Sequence, residues 1–504
     1  MTKRQESQRS LRVDHATAKT WIERELVGSE FTDVRLNKRF RKLFQQLSEG
    51  TGESIPLVCQ DWANTKAAYR FLSNHRVNEG DILAGHFQST RERFTATDST
   101  VLVLHDTTEF SYHRENISSV GILNRLPVGR YLNGKLKHYV VCGIQMHSSL
   151  AVTIDGLPLG LTAMKFWTRS KFIGCNALKK KINPTRVPIE KKESIRWLEN
   201  LQQSTALLND PERCVHIGDR ESDIYELFCR AEALGTHFLV RTCVDRLAGD
   251  GKHTIADEMR EVRIQGLHHI QVMDEKGHPS EAILEIRYRR IRVLPPIGKQ
   301  KQYPELMLTV IHAQERGTPN GRKRIDWKLI TDLPVRSRRE ALEKLKWYSM
   351  RWKIETFHKI LKSGCKAEES RLRTAQRLTN LIAVFCILSW RIFWLTMMNR
   401  AVPDASPTLA FTALELRLLD QLAKLRDTQR SQHSQAQSLS TYLIRLARLG
   451  GYLARAADGA PGNAVIWRGL SRLTDIELGF ALRAKLVGNW VIERASGRLR
   501  RRSR

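Results

Sequence analysis

The chain has 504 residues, enough for a large core and about two to four domains. Its 83 Lys and Arg against 53 Asp and Glu give a formal charge of +30, which favours a polyanionic partner, DNA or RNA. A membrane partner would call for a basic amphipathic helix or a lipid anchor, and neither stands out. The polar segment 1–15 reads as a disordered basic tail without the apolar core of a signal peptide. Eight cysteines form no C-x-x-C pair and no zinc-spaced cluster. They predict reduced thiols in a cytoplasmic protein.

Residues 16–95 predict helices. Within them Asp33-Val-Arg35-Leu-Asn-Lys38-Arg39-Phe-Arg-Lys is a basic amphipathic segment. Val34, Leu36, Phe40 and Leu43 are its packing side, and Arg35, Lys38 and Arg39 are candidate nucleic-acid contacts. Residues 101–104 are apolar and branched, as in a buried strand, and end at His105-Asp106-Thr107-Thr108. Strands follow at 138–145 and 150–154, and Asp155-Gly156 marks a tight turn. A helix is expected over 189–208, a short strand over 214–218 ending at Asp219-Arg220-Glu221, and a helix over 222–234.

From 236 to 335 the pattern is mainly strands, at 238–240, 282–294, 306–311 and 327–330. Helices return at 339–362 and in the C-terminal region. The apolar run 381–398 contains Arg391 and reads as a buried helix of a soluble domain rather than a membrane span. Expected boundaries are therefore a tail to 15, a helical domain over 16–95 and an α/β core over 96–235. A β-rich insertion over 236–335, the second part of the core over 336–400 and a helical region with a basic tail over 401–504 complete the chain.

The chemistry converges on three carboxylates. Asp106 and Asp219 each follow a hydrophobic strand. Glu355 lies in Tyr348-x2-Arg351-x3-Glu355-x6-Lys362. On one uninterrupted helix those four residues would share a stripe roughly 60° wide, a carboxylate flanked by cations. Carboxylates brought together from strand ends and a helix can hold two divalent cations about 4 Å apart, suited to in-line phosphoryl displacement. Oxygen-only donors favour Mg²⁺, with Mn²⁺ as substitute. Taken singly, each aspartate is more often a cap, and the stripe is more often a solvated face with i,i+4 ion pairs.

In this order, with Asp106-Thr-Thr, Asp219-Arg-Glu-x-Asp223 and the Tyr348/Arg351/Glu355/Lys362 spacing, the chain resembles the DDE transposases of the insertion-sequence-four family. Supporting similarity lies in Ala68-Tyr-Arg-Phe, Glu193-Ser-x-x-Trp197, Val240-Arg241, Trp327 and Ala447-Arg-Leu-Gly-Gly followed by Trp467. The resemblance implies a ribonuclease-H-like catalytic core with an inserted β-rich domain, flanked by helical domains that bind the DNA ends and dimerise. It implies Asp106, Asp219 and Glu355 as catalytic metal ligands for two Mg²⁺ ions. It implies double-stranded DNA, terminal inverted repeats and target, as partner of a homodimer in a synaptic complex. Tyr348, Arg351, Lys362 and Arg241 would hold DNA, and Trp327 would stack on a flipped base. A longer segment at 165–192, with three lysines at 179–181, departs from the family pattern. A DNA-binding relic without catalysis and a two-metal nuclease that never joins strands are the competing expectations.

Overall fold

The structure, a computed structural model, describes residues 20–500 apart from 115, 131–135, 171–186, 274–278, 320 and 427–436. The expected tail 1–15, the lysines at 179–181 and the last basic residues, 501–504, lie outside the described residues. The helices before the sheet are α1 (Trp21–Leu26), α2 (Val34–Glu49), α3 (Ile55–Cys59), α4 (Trp62–Leu72) and α5 (Glu79–Thr95). Among the strands lie α6 (Ile195–Leu208), α7 (Tyr225–Leu234) and α8 (Ile255–Arg260). The others are α9 (Arg338–Ser349), α10 (Trp352–Lys359), α11 (Ala375–Ala401), α12 (Ala413–Arg426), α13 (Leu439–Leu449) and α14 (Asn463–Arg500).

The chain divides into two units: Met1–Gly85, Lys359–Ser370 and Gln376–Arg504 make one, His86–His358 and Arg371–Ala375 the other. The described part of the first is helical. In it Asp33 caps α2 by accepting from the Arg35 backbone N–H, and Leu36, Phe40, Leu43, Phe44 and Leu47 are buried. Phe40 stacks on Phe71 at 5.6 Å and meets Phe31 edge-on at 5.4 Å, pairs worth about 0.5–1.5 kcal/mol each beyond their area. Val34, expected on the packing side, is 68% exposed instead. It sits about 200° around the helix from Leu36, so both cannot face one core.

The apolar run 381–398 lies within α11, the one described helix long and apolar enough to cross a membrane, and it is buried inside the protein. Its Arg391 guanidinium lies over Trp21 and Trp394, at 5.2 and 4.8 Å, and donates to the Ala410 carbonyl. The charge is thus satisfied by aromatic faces and a carbonyl. Trp467 of the C-terminal motif donates to the Thr51 carbonyl at 3.3 Å, tying α14 to the loop after α2.

The second unit is built on a mixed sheet. Its strands are β1 (Val101–Tyr112), β2 (Ile122–Arg130), β3 (Leu136–Thr153), β4 (Pro158–Trp167), β5 (Cys214–Gly218) and β6 (His237–Arg241). They continue as β7 (Leu247–Ala248), β8 (His253–Thr254), β9 (Gly266–Met273), β10 (Pro279–Val293), β11 (Leu306–Glu315) and β12 (Asp326–Thr331). The order is β2-β3-β1-β5-β6-β12-β11-β10-β7-β8, with β4 on β3 and β9 on β10. The strands after 236 are hydrogen-bonded into this same sheet through β6 and β12. β1 pairs antiparallel with β3 and parallel with β5, and β5 pairs parallel with β6. Val101–Leu104 and all of β5 are buried, which explains the apolar run of the first and of the second apart from His216.

Several elements differ from the sequence expectation. β1 does not stop before Asp106 but runs to Tyr112, because β3 pairs with it all along its length. The two strands expected at 138–145 and 150–154 are one strand, β3, which β2, β1 and β4 all use as a template. The turn at Asp155-Gly156 is present: Gly156 has φ +85° and its N–H reaches the Thr153 carbonyl. The helix expected from 189 is a 3-10 turn followed by α6, and that expected from 222 is a 3-10 turn followed by α7.

Candidate functional site

β1 and β5 set the site. Leu104 is level with Ile217 in their parallel register, so Asp106 and Asp219, two residues further along each, are level at the carboxyl end of the pair. Neighbouring strands lie about 4.8 Å apart. β5 ends at Gly218, and Asp219 caps the 3-10 turn Arg220–Ser222 by accepting from the Glu221 N–H at 2.9 Å. A Cβ on Gly218 would come 2.2 Å from the Ser222 hydroxyl, so the sharp exit that presents Asp219 needs glycine there.

Glu355 arrives on α10. His358, one turn on, meets the Ser148 hydroxyl at 2.8 Å, and Ser148 is opposite Asp106 on β3. This contact seats α10 against the strands that carry the aspartate. Arg351 lies between the carboxylates, 2.7 Å from Glu355 Oε1 and 3.9 Å from Asp106 Oδ1. Burial opposes the Arg351 charge, but Glu355, Tyr348 and Asp106 outweigh it and hold the guanidinium above its usual range. Its Nε is buried without a partner.

The single helix expected over 339–362 is broken. α9 ends at Ser349, Arg351 lies in a turn, α10 follows, and Lys362 falls in a π-turn, Ile360–Gly364. At the break the N–H groups of Met350, Arg351, Lys353 and Ile354 bond three residues back, which tightens the chain and turns Arg351 from the helical spacing. Glu355 and Arg351 still meet, whereas Lys362 belongs to the helical unit.

Tyr348, Trp327 and Arg241 come together. The Trp327 and Tyr348 rings meet edge-on at 5.3 Å, and Arg241 donates to the Asp326 carbonyl at 3.0 Å. Burial pushes the Tyr348 phenol up, while Arg351 and Arg241 oppose this. On the β10–β12 part of the sheet a cleft of about 690 Å³ carries Arg220, Arg241, Arg260, Arg287, Lys328 and His312. It accounts for part of the positive charge.

Three further groups, Glu221, His358 and Asp223, were not among the expected site residues, although Glu221 and Asp223 stand within the Asp219-Arg-Glu-x-Asp223 motif. Glu221 pairs with Arg196 at 2.6 Å. Burial raises the Glu221 carboxyl, Arg196 opposes, and Asp219 and Asp106 raise it further, so Glu221 feels both aspartates. His358 was visible only as a histidine three residues after Glu355. Asp223 is buried, paired with Arg246 at 2.6 Å, and accepts from Thr242, Cys243 and Val244. It fixes the loop after Arg241.

Among the described residues no three His, Cys, Asp or Glu side chains are grouped tightly enough to hold a metal ion. Asp106 and Glu355 are bridged by Arg351. The donors nevertheless fit a hard divalent cation in kind, being carboxylates, one within β1, one just past β5 and one on a facing helix.

In the helical unit the expected contacts differ among themselves. Arg35 is held by Asp33 through Nε at 3.1 Å and a terminal nitrogen at 3.0 Å. Lys38 is exposed and Arg39 half-buried. The more open face is on α4, where Trp62, Lys66, Tyr69 and Arg70 are exposed at spacings of one helix face and Trp62 is 77% exposed. Lys66 Nζ stands 6.0 Å from the Trp62 ring. Only the unpacked aromatic, invisible before the core partners are known, distinguishes this face. Residues 18–77 match the model of a family described as transposase DNA-binding, a span that takes in α1 to α4. The match supports a transposase family and DNA as the partner of this chain.

Proposed function

We propose that the chain is a DDE transposase of the insertion-sequence-four family, similar to the transposon Tn-five transposase, that cuts a mobile element from DNA and joins it to a target. The observation that carries this reading is the placement of Asp106 and Asp219 each two residues beyond the last parallel pair of β1 and β5, Leu104 and Ile217, with Glu355 held beside Asp106 through Arg351. The order β4-β3-β1-β5-β6, antiparallel on one side of β1 and parallel on the other, supports a ribonuclease-H-like core.

Asp106, Asp219 and Glu355 would hold two Mg²⁺ ions, with Mn²⁺ as substitute. Such ions, when bound, activate the attacking oxygen and stabilise the leaving oxygen of a phosphoryl displacement. The side chains of the chain do the remaining work. Arg351 bridges the two carboxylates, and its guanidinium can meet a phosphate in bidentate fashion. Tyr348 and Trp327 present an aromatic edge for an unstacked base, and Arg241, anchored beside Trp327, holds the strand near the carboxylates. Trp62, Lys66, Tyr69 and Arg70 on α4 would contact the terminal repeat, Lys38 and Arg39 supplying backbone charge. In the resulting sequence water nicks a strand, the freed 3′-hydroxyl attacks the opposite strand to form a hairpin, water opens it, and the 3′-hydroxyl joins target DNA. The reading includes a homodimer in a synaptic complex and a cytoplasmic location.

The test is a labelled duplex carrying the element's terminal repeat, incubated with Mg²⁺ and either the wild type or Glu355→Gln. Hairpin and joined products from the wild type alone are expected, with DNA binding retained by both. Binding without cleavage by the wild type, in Mg²⁺ or Mn²⁺, rejects catalysis and leaves a DNA-binding protein. Nicking without joining leaves a nuclease.

A further inference from the structure

Behind the carboxylates, on the opposite face of β1 and β5, lies a buried polar chain that the proposed reaction does not use. His105 and His216 are 3% and 2% exposed and sit under α6. His105 Nε2 is 2.8 Å from His216 Nδ1, and His105 Nδ1 is 2.8 Å from the Ser149 hydroxyl. His216 Nε2 is 3.1 Å from the Thr205 hydroxyl. Asn200 donates to the Ser149 oxygen at 3.0 Å, and Thr205 donates to the Leu201 carbonyl at 2.8 Å.

The two ends fix every proton between them. Thr205 uses its only hydroxyl proton on a carbonyl, so it must accept from His216 Nε2–H. A neutral His216 then has a bare Nδ1, which accepts from His105 Nε2–H. A neutral His105 in turn has a bare Nδ1, which accepts from Ser149, and Ser149 accepts from Asn200. Both rings are enclosed and hydrogen-bond only to hydroxyls and to each other, with no carboxylate among these partners to balance a charge, so both are neutral. The result is a one-directional chain, Asn200 to Ser149 to His105 to His216 to Thr205, that links β3, β1, β5 and α6.

We propose that His105 and His216 are positioning residues that lock the register of β1 against β5 and so hold Asp106 level with Asp219. An apolar pair of the same volume would fill the space but would accept a shifted strand, whereas a hydrogen-bonded pair with fixed tautomers accepts one register. The inference rests on Asp106 and Asp219 being the reacting-site carboxylates.

Two measurements test it on the full-length chain. The first is ¹⁵N NMR of histidine-labelled protein at pH 7, the two rings being assigned by loss of signals in His105→Asn and His216→Asn. Both rings are expected as neutral Nε2–H tautomers, and an Nδ1–H tautomer or an imidazolium at either position overturns the chain whatever the protein's activity. The second compares strand nicking, Mg²⁺ concentration for half-maximal rate, terminal-repeat binding and thermal midpoint in His216→Leu and His216→Asn. The Leu variant is expected to lose about 10- to 100-fold in nicking rate or Mg²⁺ affinity with DNA binding kept. The Asn variant, whose side-chain oxygen can accept from His105, is expected to recover most of it. Normal nicking by the Leu variant overturns the positioning role alone. So does a loss that follows the thermal midpoint and is not recovered by Asn. Absence of nicking in the wild type overturns the proposed function, and the positioning role with it.

Discussion

The two faces of β1 and β5 solve opposite problems with neighbouring residues. On one face Asp106 and Asp219 stay partly open, and Arg351 lies beside the first. On the other, one residue behind Asp106, His105 and its partners are closed off from water and every proton is assigned. Charge is kept where a ligand can reach it and removed where nothing can compensate it. The same strands thus carry half-open carboxylates on one side and a closed polar chain on the other.

The largest effect comes from breaking the open face. Asp106→Asn leaves size and hydrogen bonding nearly intact, so folding and DNA binding should persist. Cleavage should fall by on the order of 10³-fold or more, the several kcal/mol that metal-assisted charge stabilisation contributes. A gel assay beside a binding titration checks both.

A sharper contrast lies four residues apart on the chain. Asp219 is half-buried just past the end of β5, whereas Asp223 is enclosed with Arg246 and three hydrogen-bond donors. Asp223→Ala strands a buried guanidinium and should cost about 3–5 kcal/mol of stability by denaturant unfolding. Asp219→Ala loses only a turn cap and should cost about 1 kcal/mol. Equal losses would erase the distinction between a structural and a reacting carboxylate.

In the helical unit the comparison is between α2 and α4. Trp62→Ala removes an exposed ring and should weaken terminal-repeat binding by about 1–3 kcal/mol without lowering the thermal midpoint. Arg35→Ala should change binding by less than about twofold, because Asp33 already engages one edge of the guanidinium through Nε and a terminal nitrogen.

The smallest effect is a titration. Glu477 is half-buried near Glu415 and Glu49, and burial first, then these two, push its carboxyl up to about 7 from 4.5. The folded state therefore holds this proton more tightly than the unfolded one. Its contribution is full below about pH 4.5 and is lost as pH rises through 7. Glu477→Gln should gain about 1–2 kcal/mol at pH 8, discounted for solvent, and nothing at pH 4. Equal stabilities at both pH values would show the carboxyl to be ordinary.

Much of the site was legible because its residues obey local rules. An apolar run marks a buried strand, and the residue just past its end lies at the sheet edge; this located Asp219 and, less well, Asp106. The helix boundaries around Arg351 were not legible, because bonds three residues back replace those four back without any proline or glycine to signal it. His358 and Ser148 are 210 residues apart, and His105 and His216 are 111 apart. Such pairs exist only after the sheet has assembled, and each residue alone has the composition of an ordinary core or surface position. The exposed face of α4 was hidden for the converse reason: an aromatic residue is expected inside until packing leaves it out.

The central claim is that Asp106, Asp219 and Glu355 act as one unit. The most direct measurement is the nicking rate of Asp106→Asn, Asp219→Asn and Glu355→Gln beside the triple variant, on the same labelled terminal repeat. Each single variant is predicted to be as slow as the triple, because groups that act together fail together. A single variant that nicks at the wild-type rate, or three partial losses that add up to the triple, would contradict it.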